Sequence, residues 1–325
     1  IYRKLVVQYP DDRSIAYNNA LFLLATGDYP RGFAGYEHRL RQNLVSLDGS
    51  DSLAPRWRGE AMPGKQLLVY NEQGLGDIIQ FARFLPRVLE SGAEVTLVLR
   101  PVLRRLLADA TRGMAVVDSA GIRRFDAQVS LMSLAHVFGT TVETVPPAPY
   151  LSAEPPLVEK WRGRIGGEGF RIGVLWQGAP GYKGDRFRSI RLEKLAPLAA
   201  VAGVRLISIQ AVNGLDQLAG LPAGMKVETL HPDASHPTEG LVELAAVMAN
   251  LDLVLSVDSG IAHLAGALGR PTWTLLRAQP EWRWLEGRSD TPWYASMRLF
   301  KQKTLGDWDP VVAEIVAAMR EKLAG

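Results

Sequence analysis

The chain has 325 residues, with 37 Lys and Arg against 34 Asp and Glu, a formal charge of +3. That charge is too small for the concentrated cationic surface on which non-specific nucleic-acid binding rests, and an apolar fraction of 47% excludes disorder over most of the length. There is no cysteine, so disulfides, thiolate nucleophiles and Cys-ligated metals are excluded.

At about one domain per ~150 residues, two domains are expected. No apolar run approaches the ~18–20 residues of a membrane span. The N-terminal IYRKLVVQYPDD lacks the apolar stretch of a signal peptide. A cytoplasmic protein is expected, and the opening on Ile1 rather than Met implies further protein upstream.

Residues 1–45 read as helical. Ala16, Ala20, Leu23 and Leu24 recur at helical spacing, and Phe33, Tyr36 and Leu40 do so after the turn Gly27-Asp28-Tyr29. The run from Pro10 through Ala20 to Phe33 resembles a tetratricopeptide repeat, the alternative being an ordinary helical hairpin. One repeat cannot bury its own faces, so neighbours are expected upstream. Residues 46–64 are a connector of Ser, Asp, Gly and Pro, with Trp57 as its one large anchor.

Strands and helices then alternate. Gln66–Tyr70 is a strand, Gly74-Leu75-Gly76 a turn, and Asp77 opens a helix. Strands follow at 95–99, 114–117 and 127–131, with a helix over 101–110. The proline-rich stretch 142–156 reads as an interdomain linker, since helix interiors do not tolerate proline. The alternation restarts with strands at 171–176, 204–210, 226–229, 253–257 and 271–275, and helices at 192–201, 239–250 and 259–268. Residues 310–325 form an amphipathic helix. Apolar strands alternating with helices indicate parallel sheets covered on both faces. The domains expected are thus 1–45, 46–150, 151–309 and the final helix 310–325. Ligands of such sheets bind at the carboxyl ends of the strands, and a cleft between two units is the default site.

Four segments carry candidate chemistry. In Glu72-Gln73-Gly74-Leu75-Gly76-Asp77 the glycines allow close backbone approach, and Asp77 can take a proton from a hydroxyl or serve as a helix cap. The third position of a dinucleotide fingerprint is Ile79 rather than Gly, so dinucleotide binding is weakly supported. The stretch from Trp176-Gln177-Gly178 to Ile190 sets Lys183, Arg186 and Arg188 within six residues, which suits a phosphate; the alternative is a solvated loop. At Asp258-Ser259-Gly260-Ile261, a helix start after a strand offers free N–H groups to an anion. His263, one turn in, faces either ligand or core. The aromatic segment around Trp282 either stacks on a base or sugar, or plugs the second domain.

Taken together, Glu72–Arg83, Leu131–Leu134, Asp185–Ile190, Leu251–Asp258, His263–Pro271 and Trp282–Leu285 make the chain resemble bacterial glycosyltransferases in which tetratricopeptide repeats precede a glycosyltransferase family 9, heptosyltransferase-like module. The resemblance implies an α/β GT-B fold, with the final helix crossing back to the first domain. It implies Asp77 as general base and Lys183, Arg186, Arg188, Ser259, Gly260, Ile261 and His263 as the donor-phosphate clamp. Gln73, Gly74, Gly76, Trp176, Gln177, Gly178, Asp258 and Trp282 would line the cleft. It also implies an inverting transfer from a nucleotide-sugar, with no metal and no cofactor. The repeat-like hairpin points to a protein acceptor such as flagellin, the alternatives being a glycolipid acceptor or a non-catalytic peptide-binding scaffold.

Overall fold

A computed structural model describes residues 2–41, 54–119, 124–181, 184–230 and 240–325. These fall into two compact units, Ile1–Leu151 with Glu281–Gly287, and Ser152–Pro280 with Arg288–Gly325.

The first unit is built on four parallel strands: β1 (Gln66–Tyr70), β2 (Glu94–Val98), β3 (Ala115–Val117) and β4 (Ala127–Ser130), in the order β3-β2-β1-β4. Leu67, Leu68 and Val69 of the central strand are fully buried, as a strand covered on both faces requires. The chain leaves β1 toward β2 and returns on the other side as β4. The carboxyl ends of β1 and β4 therefore flank the point where strand order reverses, the place where open α/β sheets bind ligands. The N-terminal hairpin comprises helices Arg13–Ala25 and Tyr29–Tyr36. Asp12 caps the first, its Oδ1 accepting from the N–H groups of Ser14 and Ile15 at 2.9 and 3.0 Å, and Asp28 caps the second.

The helix after β1 runs Leu75–Phe81, with Gly74 as its N-cap. It starts two residues before Asp77, where the sequence predicted its opening, because the extended backbone of Gly74 already supplies the entry. The predicted linker ends sooner than its composition implied. Pro155 and Pro156 open the helix Pro155–Ile165, since the first helical turn has no N–H partner for proline to lose.

The second unit carries six parallel strands: β5 (Phe170–Leu175), β6 (Val204–Ser208), β7 (Val227–Thr229), β8 (Leu253–Val257), β9 (Thr272–Leu276) and β10 (Met297–Lys301). Their order, β10-β9-β8-β5-β6-β7, is that of a doubly wound dinucleotide-type sheet, with the reversal between β5 and β8. β10 went unpredicted because its MRLFK sequence mixes charges among the apolar residues, and among the described residues it pairs with β9 alone, at the sheet edge.

The final helix, Asp309–Ala324, buries Val311, Val312, Ile315, Val316 and Met319 against β10 and helix Ala196–Ala199 of its own unit. The helix groups with the second unit, and the late segment that groups with the first is Glu281–Gly287. The apolar stripe of the helix is satisfied within the second unit, whereas the two tryptophans of Trp282-Arg283-Trp284 are buried in the first.

Candidate active site

In the first unit, the turn after β1 places Asp77 at the third position of its helix. Its Oδ2 accepts the Gly74 N–H at 2.9 Å, a back-bond that satisfies a helix-start donor. Its Oδ1 is ion-paired with Nη2 of Arg283. Gln73 adopts a left-handed backbone, φ +64°, which is strained for a residue with a Cβ. Two contacts hold it there: its Nε2 donates to the Tyr36 hydroxyl at 3.0 Å, and its carbonyl accepts from Arg100 at 3.1 Å. Gly76 lies half-buried in the first helical turn.

Behind this turn lies a buried ionic cluster. Glu72 is bound by Arg39 from the helical segment and by the Ser130 hydroxyl at the end of β4. Arg39 also reaches Glu37 at 2.7 Å and the Ser133 hydroxyl at 2.9 Å. Burial pushes the Glu72 carboxyl above the ordinary carboxylate range, with Arg39 opposing it. Burial also raises the Tyr36 hydroxyl, against the pull of Arg283 and Arg39. A cavity of about 440 Å³ opens beside the cluster, walled in part by Glu37, Arg56, Ser133 and His136; Asp77 is not among its walls.

Trp282 belongs to the first unit. It packs edge-on against Phe33 and Tyr36, centroids 5.7 and 5.8 Å away, and is almost wholly buried. Trp282 and Trp284 are thus buried in the first unit, whereas Trp293 and Tyr294, farther along the same aromatic stretch, are buried in the second.

In the second unit, the turns after β5 and β8 leave from neighbouring strands. Trp176 is fully buried, with its indole N–H donating to Gly214 O at 3.1 Å, so it packs in the core. The N–H groups of Trp176 and Gln177 both donate to Gln210 Oε1, at 3.1 and 3.0 Å. Gly178 N–H donates to the Ser189 hydroxyl at 3.0 Å, and Ile190 N–H to Trp176 O at 2.9 Å, which closes the basic loop on itself. Arg188 pairs with Asp185 at 3.1 Å and lies across Gly178, where a Cβ would run into its guanidinium. Arg186 is exposed and stacks over Phe187, 4.5 Å from the ring centroid. Lys183 lies outside the described residues.

After β8, Asp258 is buried, and Ser259 caps helix Gly260–Ala267. The Ser259 hydroxyl accepts the Ile261 N–H at 3.3 Å and lies 3.2 Å from the Ser256 hydroxyl. Gly260 and Ile261 are half-buried at the helix start. His263 is buried, with Nδ1 3.0 Å from the Tyr294 hydroxyl. Of its two sequence readings, the core-facing one describes this contact. Among the described residues, no group of three or more His, Asp or Glu side chains is placed to hold a metal ion, and no helix is long and apolar enough to cross a membrane.

Sequence reasoning missed Arg39, Tyr36 and Arg283. The first two bear on the site from 33 and 37 residues away, without a local motif. Arg283 had one signal, a cation between two tryptophans.

Residues 200–304 match the model of glycosyltransferase family 9 (heptosyltransferase). Protein FlbA of Caulobacter vibrioides is 27% identical over 336 residues, an alignment covering 96% of this chain and 56% of FlbA. The chain thus spans a little over half the length of that curated relative. Among solved structures, the ADP-heptose LPS heptosyltransferase II of E. coli is similar with a TM-score of 0.52 at 14% identity, over 79% of this chain and 99% of that one. The glycosyl transferase family 9 protein of Veillonella parvula gives 0.52 at 13% identity, over 81% and 91%. E. coli heptosyltransferase WaaC, solved with ADP-2-deoxy-2-fluoro heptose, gives 0.50 at 14% identity, over 79% and 99%. At such identities the likeness is one of fold: an α/β architecture of parallel sheets similar to the GT-B heptosyltransferases.

Proposed function

We propose that this chain is a metal-independent, inverting glycosyltransferase that moves a sugar from a nucleotide-sugar to an acceptor hydroxyl. The observation that carries the reading is the family match over 200–304, which takes in β8, the Ser259 helix start and the Trp282 segment. The doubly wound order of the second sheet supports it, because the turns after β5 and β8 stand at the reversal where such sheets bind ligands.

In this reading the second unit holds the donor. The helix start at Ser259, Gly260 and Ile261 presents backbone N–H groups and a favourable dipole to a diphosphate. Lys183, Arg186 and Arg188 supply positive charge to the departing phosphate. Arg188 does so while sharing Asp185, so Arg186 and Lys183 carry more of that role. Asp77 of the first unit takes the proton of the acceptor hydroxyl as the new C–O bond forms. Preorganised donors at the leaving group are the largest expected contribution, about 3–4 kcal/mol for each by analogy with an oxyanion hole.

The acceptor proposed is a protein hydroxyl on a surface subunit such as flagellin, since the N-terminal hairpin resembles a peptide-binding repeat. A glycolipid acceptor fits the family match equally well.

Melting curves with a panel of UDP-, GDP-, ADP- and CMP-sugars test the donor: a ligand that binds only the folded chain raises its melting temperature. Labelled sugar then reports the acceptor as protein or lipid. Asp77→Asn should abolish transfer and keep the donor-induced melting shift. Transfer to neither acceptor class, with the melting shift intact, would favour a non-catalytic scaffold.

A further inference from the structure

We propose that Arg283 positions the general base, holding the Asp77 carboxylate aimed at the acceptor hydroxyl. The proposal rests on Asp77 being that base.

The pair spans 206 positions of sequence and forms inside the first unit, because Glu281–Gly287 returns to it. Arg283 is itself tightly held. Its Nε donates to Gln80 Oε1 at 2.8 Å, its guanidinium lies 4.6 Å from the centroid of the Trp282 ring, and Nη1 is 4.0 Å from Glu281. Its side chain is 9% exposed, against 20% for Asp77, so the cation is anchored on the protein side and the carboxylate keeps a face to solvent.

Helix capping alone does not call for this arginine. The Gly74 N–H already satisfies that role through Oδ2. A buried guanidinium is costly to desolvate, and an apolar residue would fill the space more cheaply. The fork geometry is what lets one side chain hold Gln80 and Asp77 together, which a lysine cannot reproduce. With one bond to each carboxylate oxygen, lone pairs remain on both for an acceptor O–H.

Backbone strain marks the same place. Among the described residues, the two non-glycine residues with left-handed backbone are Gln73 and Leu285, φ +64° and +56°. One lies four residues before Asp77 and the other two after Arg283. Such strain gathers where a site must be held in one geometry.

In the step itself, the acceptor oxygen bonds to the anomeric carbon and the carbon–oxygen bond to the diphosphate breaks, its electron pair leaving with the phosphate. The acceptor proton ends on Asp77, which then releases it to water. Arg283 acts in this step through Asp77, to which it is ion-paired.

The test uses the full chain and the sugar nucleotide of the panel above that gives the largest melting shift. It measures donor hydrolysis in the absence of acceptor, and transfer where an acceptor is found. Arg283→Ala should lower kcat by about 10²-fold, the cost of a misplaced catalytic group, with donor KM unchanged. Added guanidinium should restore part of the loss, and Arg283→Lys should fall between. Should Arg283→Ala fail to fold, Arg283→Lys and Gln80→Leu carry the same kcat-against-KM reading. Wild-type kcat in these variants, or a loss that guanidinium does not relieve and that donor KM shares, overturns the proposal. An active Asp77→Asn overturns instead the assignment of the base. An inert Asp77→Asn beside an active Arg283→Ala leaves the base in place and removes only its positioning residue.

Discussion

Arg39 and Glu72 form an ion pair sealed from solvent: Nη2 lies 2.6 Å from Oε1, with the two side chains 1% and 0% exposed. The pair ties the N-terminal helical segment to the turn after β1, at a residue five before Asp77. Arg39 stays charged there although burial pulls the other way, because Glu72 and Glu37 outweigh it. The hairpin is thereby part of the first unit's core and a wall of the candidate site.

Removing one partner of such a pair leaves a charge buried without compensation. Arg39→Met should destabilise the first unit by about 3–5 kcal/mol. The double replacement Arg39→Met with Glu72→Leu should recover much of that loss, since it removes the orphaned carboxylate. Urea unfolding of the three proteins measures this, and a double variant no more stable than Arg39→Met would contradict it.

Gly266 is a contact position in the second unit. A Cβ built there would overlap the ring of Tyr294, whose hydroxyl holds His263. Gly266→Ala should therefore cost about 1–3 kcal/mol by overpacking, even though alanine is the better helix former. A variant as stable as the parent in thermal melting would show that the ring gives way freely.

The Ser259 cap separates helix stability from donor binding. Ser259→Ala should cost about 1 kcal/mol and Ser259→Gly only a few tenths. If the hydroxyl also meets the donor phosphate, both variants should show the same reduced donor-induced melting shift despite their different stabilities. Donor shifts equal to the parent's in both would leave Ser259 as a cap and nothing more.

Asp252 gives the second unit a dependence on acid. Burial disfavours its charge, but the Arg171 side chain, through Nε at 2.8 Å and Nη2 at 2.7 Å, and the Arg171 backbone N–H at 2.8 Å outweigh this and hold the carboxyl below its ordinary range. A depressed folded-state value stabilises above the unfolded value of about 3.9 and loses that contribution as pH falls through the folded one. Asp252→Asn should thus be less stable than the parent at pH 7, with the gap narrowing below about pH 4. A gap constant down to about pH 3 would rule the linkage out.

Local chemistry made much of this protein legible in sequence. Short apolar runs marked β1, β2, β5, β6 and β8, because strands covered on both faces have nothing polar to show. The Asp28 turn and the Ser259 helix start were readable because capping and turn geometry depend on a few adjacent residues. The tertiary structure alone decided that Asp77 meets Arg283 and Glu72 meets Arg39, that Trp282 fills the first unit, and that the final helix stays in the second. Those outcomes depend on where a distant stretch of chain returns. Periodicity and spacing carry no record of that path, because burial of a charge is settled by whichever partner the packed fold brings to it.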